Sequence, residues 1–298
     1  FNNLKYQEAV ETFDKSLQYP GYNRAIKAQA NYWKAEAYYQ LEEYEKAIES
    51  YNEFLLTVGA FQLDEYNLAH YNIGYSYFKL KNYPNAIQWF RKYIGFTKNA
   101  ETKTVADAYN RIADSYFISR TYWVAIENYD KAIEIGLMDK DYALFQRGFS
   151  LGLLIRPEKK INTLQRLLDE HPESAYVDDA LYEMAKGYMD LQQADMAFAK
   201  YLKIVDEYPS SSYVKKSLVN LGLLSYNKDE NQEALKYYQR VVAEFPGTDE
   251  AKNALIGIKN IYVDLNDVDT YFAYVNSLGE FADVSVSEQD SLTYISAE

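Results

Sequence analysis

Tyr71-Asn72-Ile73-Gly74-Tyr75-Ser76-Tyr77-Phe78, followed by Tyr83 and then Ala86-Ile87-Gln88-Trp89-Phe90, is the stretch on which the fold turns. It recurs downstream as Tyr109-Asn110-Arg111-Ile112-Ala113-Asp114-Ser115-Tyr116-Phe117, with Tyr122 and Ala125-Ile126-Glu127-Asn128-Tyr129 behind it. Upstream it is shortened to Ala35-Glu36-Ala37-Tyr38-Tyr39, then Tyr44 and Ala47-Ile48-Glu49-Ser50-Tyr51. With the residue that opens each second apolar run as marker, the copies fall at Ala9, Ala47, Ala86, Ala125, Lys160, Ala197, Ala234 and Tyr271. The steps between them are 38, 39, 39, 35, 37, 37 and 37 residues, which makes the chain a repeat array.

Each copy holds two runs with apolar residues at helical spacing. In the third, Ile73, Tyr77 and Leu80 form one stripe and Ala86, Phe90, Tyr93 and Ile94 another. A short polar turn, Lys81-Asn82-Tyr83-Pro84, separates them, with Pro84 suited to the first turn of the second helix. Pro20, Pro172, Pro209 and Pro246 mark helix ends. Every unit therefore reads as a helix hairpin, with second helices expected near residues 6–18, 44–57, 83–96, 122–135, 157–170, 194–207, 231–244 and 268–278. A lone hairpin cannot bury both stripes, so the hairpins must stack. Residues 1–284 read as a single all-α array of about eight units, and Ser287 with Asp290 three residues on reads as the capped start of a further truncated repeat over 285–298. Both ends cut a hairpin, which predicts a fragment of a longer array.

The pattern resembles the tetratricopeptide repeat family. Its signature is matched best by Leu218, Leu221-Gly222, Ala234, Tyr238 and Pro246, and by Leu181, Ala185, Tyr188, Ala197, Tyr201 and Pro209. The resemblance covers nearly the whole chain and implies a right-handed superhelical solenoid. The fifth unit departs from it: Lys160 stands where a small Ala is expected, with Gly148, Gly152 and Pro157 nearby, and a change of superhelix geometry is expected there. The linkers Glu207-Tyr208-Pro209-Ser210-Ser211-Ser212-Tyr213 and His171-Pro172-Glu173-Ser174-Ala175-Tyr176 resemble those of bacterial cell-envelope members, the Tol-Pal-associated and outer-membrane-assembly groups. That implies a periplasmic or envelope location, with a cytoplasmic one as the alternative.

Composition narrows the function. Forty-four acidic against 31 basic residues give a net charge of −13, which excludes phosphate-driven nucleic-acid binding. There is no Cys and there are only two His, His70 and His171, so thiolate chemistry, zinc sites and His-based triads are not expected. Asp178-Asp179 and Asp229-Glu230 sit at turns or helix starts, where carboxylates solvate the surface, and neither pair reads as catalytic. No enzyme, cofactor or metal site is predicted, and no segment is apolar enough to span a membrane.

What remains is a surface. In the resembled family the first helices line a groove, and the repeat register carries Tyr32, Tyr39, Tyr71, Tyr75, Phe78, Phe117, Phe145, Phe149, Tyr182 and Tyr226 towards it. Such an aromatic stripe suits an extended peptide or protein segment, because rigid rings give contact area at low entropic cost and Tyr adds a hydrogen-bonding tip. The same rings also suit packing between units, and stacked rings accept sugar faces, so glycan or cell-wall binding is the alternative. The family's carboxylate clamp is not assembled: Arg111 and Lys186 match in part, whereas Tyr71, Tyr75 and Glu36 stand where Lys or Asn belongs. Residues 241–298 carry 11 acidic and 2 basic groups, which predicts either a solvated end or contact with a basic partner there.

Overall fold

The structure is a computed structural model that describes residues 3–19, 23–99 and 101–279. The repeat expected over 285–298, and five of the eleven acids of 241–298, lie outside the described residues. The described residues form fifteen α-helices and no strand. They fall into two compact units, 1–154 and 155–298, whose boundary lies within the fifth hairpin.

Unit 1 contains α1 (Asn3–Leu17), α2 (Arg24–Gln40), α3 (Tyr44–Leu56), α4 (Glu65–Lys79), α5 (Tyr83–Phe96), α6 (Lys103–Ile118), α7 (Tyr122–Ile135) and α8 (Lys140–Leu153), with a short 3-10 turn at Ala60–Gln62. Unit 2 contains α9 (Pro157–Glu170), α10 (Val177–Asp190), α11 (Ala194–Glu207), α12 (Val214–Tyr226), α13 (Asn231–Glu244), α14 (Asp249–Asp264) and α15 (Val268–Ser277). Within each unit every helix packs on the next in sequence. First helices of successive hairpins also touch, α2 with α4, α4 with α6 and α12 with α14. This pairwise stacking of antiparallel hairpins is an α-solenoid.

The repeat period is written into the core. Ala47, Ala86, Ala125, Ala197 and Ala234 are fully buried, so the marker position belongs to the core of each of these units. Four residues on, Tyr51, Phe90, Tyr129, Tyr201 and Tyr238 plug the space between the two helices of a hairpin. Tyr238 shows how tightly: a Cβ added to Gly222 or Gly257 would stand 2.6 or 2.5 Å from its ring. Glycine at both positions makes room for one ring between two backbones. In α9 the two positions hold Lys160 and Leu164 instead.

The hairpin turns share a second device. Glu42, Lys81, Arg120, Ile155, Gln192, Asp229 and Asn266 all have left-handed backbones, with φ between 52° and 62°. After six of them, Glu42, Lys81, Arg120, Gln192, Asp229 and Asn266, the next N–H reaches back to a carbonyl five residues earlier, as in Glu43 to Tyr38 (2.9 Å), Asn82 to Tyr77 (2.9 Å) and Thr121 to Tyr116 (2.8 Å). This is the 6→1 bond of a Schellman ending, and it satisfies a helix-end carbonyl while reversing the chain. Without glycine at these positions the turn is invisible to composition, yet it repeats with the same steps as the core markers.

Candidate functional site

In unit 1 the first helices α2, α4, α6 and α8 carry eight of the ten ring positions assigned to a groove. Seven of the eight, Tyr39, Tyr71, Tyr75, Phe78, Phe117, Phe145 and Phe149, are half-buried, as expected of a face that packs and still meets solvent. Tyr32 is the correction. It is only 3 % exposed, enclosed edge-on by Tyr51, Phe54 and Trp33 at centroid distances of 5.8, 5.3 and 5.2 Å, and belongs to the core.

The rings touch one another along this face. Tyr71 and Tyr75 meet at 5.0 Å, Phe117 and Phe149 at 6.0 Å, and Phe145 and Phe149 stack at 6.2 Å. Spacing of this kind is worth roughly 0.5–1.5 kcal/mol per pair beyond area burial, so packing and display are served by the same residues.

Three carboxylates fix the polar tips. Glu36 Oε1 accepts from the Tyr51 hydroxyl at 2.6 Å and from Asn72 Nδ2 at 2.5 Å, and Asn72 also donates to the Tyr32 hydroxyl at 3.2 Å. Asp107 Oδ2 accepts from the Tyr71 hydroxyl at 2.7 Å and from that of Tyr75. Asp114 Oδ1 accepts from Tyr129 and Tyr142, each at 2.7 Å. Arg111 joins the last two, with Nε 3.3 Å from Asp107 and Nη1 2.5 Å from Asp114. Its guanidinium lies 5.5 Å from the Tyr142 ring centroid and 6.0 Å from that of Phe78.

Burial, and then the adjacent carboxylates, push the phenols of Tyr51, Tyr71, Tyr75 and Tyr129 well above their ordinary range. Burial and the neighbouring Tyr44 and Glu36 raise Tyr39 to about 12. These hydroxyls are therefore permanent donors. Between α2 and α4 the arrangement leaves a cavity of about 220 Å³ lined by Glu36, Tyr39, Gln40, Tyr51, Tyr71, Asn72 and Tyr75.

Unit 2 is built differently. Lys160 is 3 % exposed, and its ammonium meets Glu183 Oε2 at 2.5 Å, while Lys186 reaches Oε1 of the same carboxylate at 2.8 Å. Burial works to raise the Glu183 pKa, but the hydrogen bonds and charges of the two lysines outweigh it and hold the group below its ordinary range. Tyr182 is half-buried and stacks on Tyr213 at 4.4 Å with 21° between the planes, and the Tyr213 hydroxyl donates to Asp179 at 2.7 Å. Tyr226 donates to Asp264.

Register reasoning missed Asn72 and Asp107 as members of the face. Their partners offered a signal: Asn72 lies 36 residues from Glu36 and Tyr71 lies 36 residues from Asp107, one repeat less a helical turn. His70, 5 % exposed, packs against Tyr66, Trp89 and Phe96 and holds the Tyr66 carbonyl through Nδ1 at 3.0 Å. Among the described residues no group of His, Cys, Asp and Glu could hold a metal ion, and no helix is long and apolar enough to cross a membrane.

Stacked hairpins with a decorated first-helix face define the class of helical repeat scaffolds. Models of the tetratricopeptide repeat match residues 1–64, 68–99, 142–174, 179–211 and 216–248. The chain belongs to the tetratricopeptide repeat family. No curated protein matches it.

Among solved structures it is similar to the C-terminal part of a repeat-containing protein from Cytophaga hutchinsonii, with 18 % identity over 84 % of this chain and 95 % of the other and a TM-score of 0.67. The apo form of RapI matches with 12 % identity over 92 % of this chain and 85 % of its own, at a TM-score of 0.60. YrrB, described as having an unusual peptide-binding site, matches with 16 % identity over 70 % of this chain and 98 % of its own, at a TM-score of 0.53. The fold is that of protein–protein interaction scaffolds, which are typically non-catalytic.

Proposed function

We propose that unit 1 holds an extended peptide or protein segment against the first-helix face of α2, α4, α6 and α8. The observation that carries this reading is the half-buried ring row Tyr39, Tyr71, Tyr75, Phe78, Phe117, Phe145 and Phe149, in which Asp107 fixes the hydroxyls of Tyr71 and Tyr75. A pre-organised row loses little entropy when a ligand arrives, so more of the contact energy survives as affinity. An extended strand also brings its own unpaired N–H and C=O groups, which Asn72, Gln40 and the Tyr hydroxyls can meet. Peptide binding by a neighbour of the same fold accords with this reading.

A displayed library of unstructured peptides, panned on the intact chain, tests it. Selected peptides should lose about tenfold or more in affinity to a Phe78→Ala, Phe149→Ala double variant, the scale expected when two aromatic anchors are truncated. Selected peptides that bind this variant unchanged would refute the assignment of the face.

A further inference from the structure

From the cavity between α2 and α4 we infer that this face reads a basic residue: the pocket of Glu36, Tyr39, Tyr71 and Tyr75 receives the Lys or Arg side chain of a bound peptide. The inference rests on the peptide reading above and adds the chemistry of the ligand.

Size comes first. At about 220 Å³ the cavity is below the roughly 300–1,000 Å³ of pockets that enclose whole small molecules, so it suits one side chain of a larger ligand. Chemistry follows from the walls. Four of the seven lining residues are Tyr, and the remaining three are Glu36, Gln40 and Asn72. A pocket walled by Tyr rings and one carboxylate suits a cation, which rings attract through their π-systems and the carboxylate through its charge.

Glu36 differs from the other two carboxylates of the face. Asp107 and Asp114 share Arg111, whereas Glu36 is held by the Tyr51 hydroxyl and the Asn72 amide, both neutral. Among the described residues no Lys or Arg pairs with it. Nor do the pocket walls contain a cation, so nothing in the cavity repels one that enters. Tyr51 and Asn72 hold the carboxylate in place, so an incoming ammonium or guanidinium meets an acceptor that is already oriented. An acidic side chain would meet the opposite: a fixed carboxylate, four electron-rich rings and no positive charge.

The probes are degenerate peptide pools that differ only at a fixed central residue: Lys, Arg, Gln, norleucine or Glu. Their binding to the intact chain is read by fluorescence anisotropy. Lys and Arg pools should bind at least about tenfold more tightly than Gln and norleucine pools, with Glu weakest. In Glu36→Gln the ratio of Lys to Gln affinity should fall towards one. Tyr39→Leu, which removes a lining ring outside the hydrogen bonds that hold Glu36, should reduce the same ratio and serves as the second variant if the first is poorly folded.

Equal binding of all pools would overturn the cation pocket while leaving the peptide reading intact. So would a ratio unmoved by both variants. No binding by any pool would overturn both.

Discussion

Second helices of unit 1 and α9, which opens unit 2, solve the same packing problem with opposite chemistry, while α11 and α13 of unit 2 keep the Ala and Tyr pair. In unit 1 the plug residue of two second helices is a Tyr whose hydroxyl runs to a carboxylate fifteen residues earlier on the partner helix, Tyr51 to Glu36 and Tyr129 to Asp114. In α9 the equivalent residue is Leu164, and polarity enters instead at the marker position, where the Lys160 ammonium runs to Glu183 on the following helix. A buried phenol costs little to desolvate and keeps its proton. A buried ammonium is expensive unless its partner is in place. The plug tyrosines therefore carry their polarity without a buried cation, whereas the lysine pair acts as an internal clamp whose loss damages the unit around it.

Trp33, Trp89 and Trp123 all lie in unit 1, so Trp fluorescence follows that unit alone, while far-UV circular dichroism follows both. Urea unfolding read by the two signals can therefore separate the units.

The largest expected effect is Glu183→Leu, which leaves Lys160 buried opposite an apolar side chain. It should cost about 3–5 kcal/mol and shift the dichroism transition while the fluorescence transition holds. Adding Lys160→Met should recover most of the loss. A single variant as stable as the parent would remove the clamp from the comparison.

Next is Tyr129→Phe, which takes one donor from Asp114 and should cost about 1.5–3 kcal/mol, visible in Trp fluorescence. A change seen only by dichroism would contradict the assignment to unit 1. In unit 2, Gly222→Ala presses a methyl group against the Tyr238 ring. Overpacking of about 1–3 kcal/mol, partly offset by the better helix propensity of Ala, leaves roughly 1 kcal/mol of destabilisation. A companion Tyr238→Leu change should abolish that penalty.

Ile155 is a β-branched residue with φ 54° and is 79 % exposed, so its strain is not offset by burial. Ile155→Gly should stabilise the chain by about 1 kcal/mol, measured as a higher urea midpoint.

The Glu183 pair also sets a pH response. Its folded pKa is depressed below the ordinary 4.5, so the unfolded state binds the proton first as pH falls. The stability it contributes is present above that value and is lost as pH drops through the lower folded pKa. Glu183→Gln should flatten this part of the profile, and an unchanged slope would assign it to other carboxylates.

The hairpins were legible because their causes are local. Apolar residues at helical spacing, Pro84 at a helix start and the recurrence of Ala47, Ala86 and Ala125 each act within a few turns of chain. The pattern hid the turns, since Glu42, Lys81 and Arg120 adopt a backbone usually marked by Gly. Lys160 was legible as a departure, but not as half of an ion pair, because Glu183 stands one hairpin further on.

The sequence by itself determined a periodic stack of helix hairpins and the face on which aromatic residues gather, because a period of 35–39 residues and a 3.6-residue turn are both written in residue order. Only the tertiary structure decided which rings face outward and what holds them. Tyr32 and Tyr71 share one register, 39 residues apart, yet Tyr32 is sealed by Tyr51, Phe54 and Trp33 while Tyr71 lines the cavity. Register gives a side chain its direction to within part of a helical turn. Whether a neighbour covers it depends on side chains from other helices, and that is settled only when the hairpins pack.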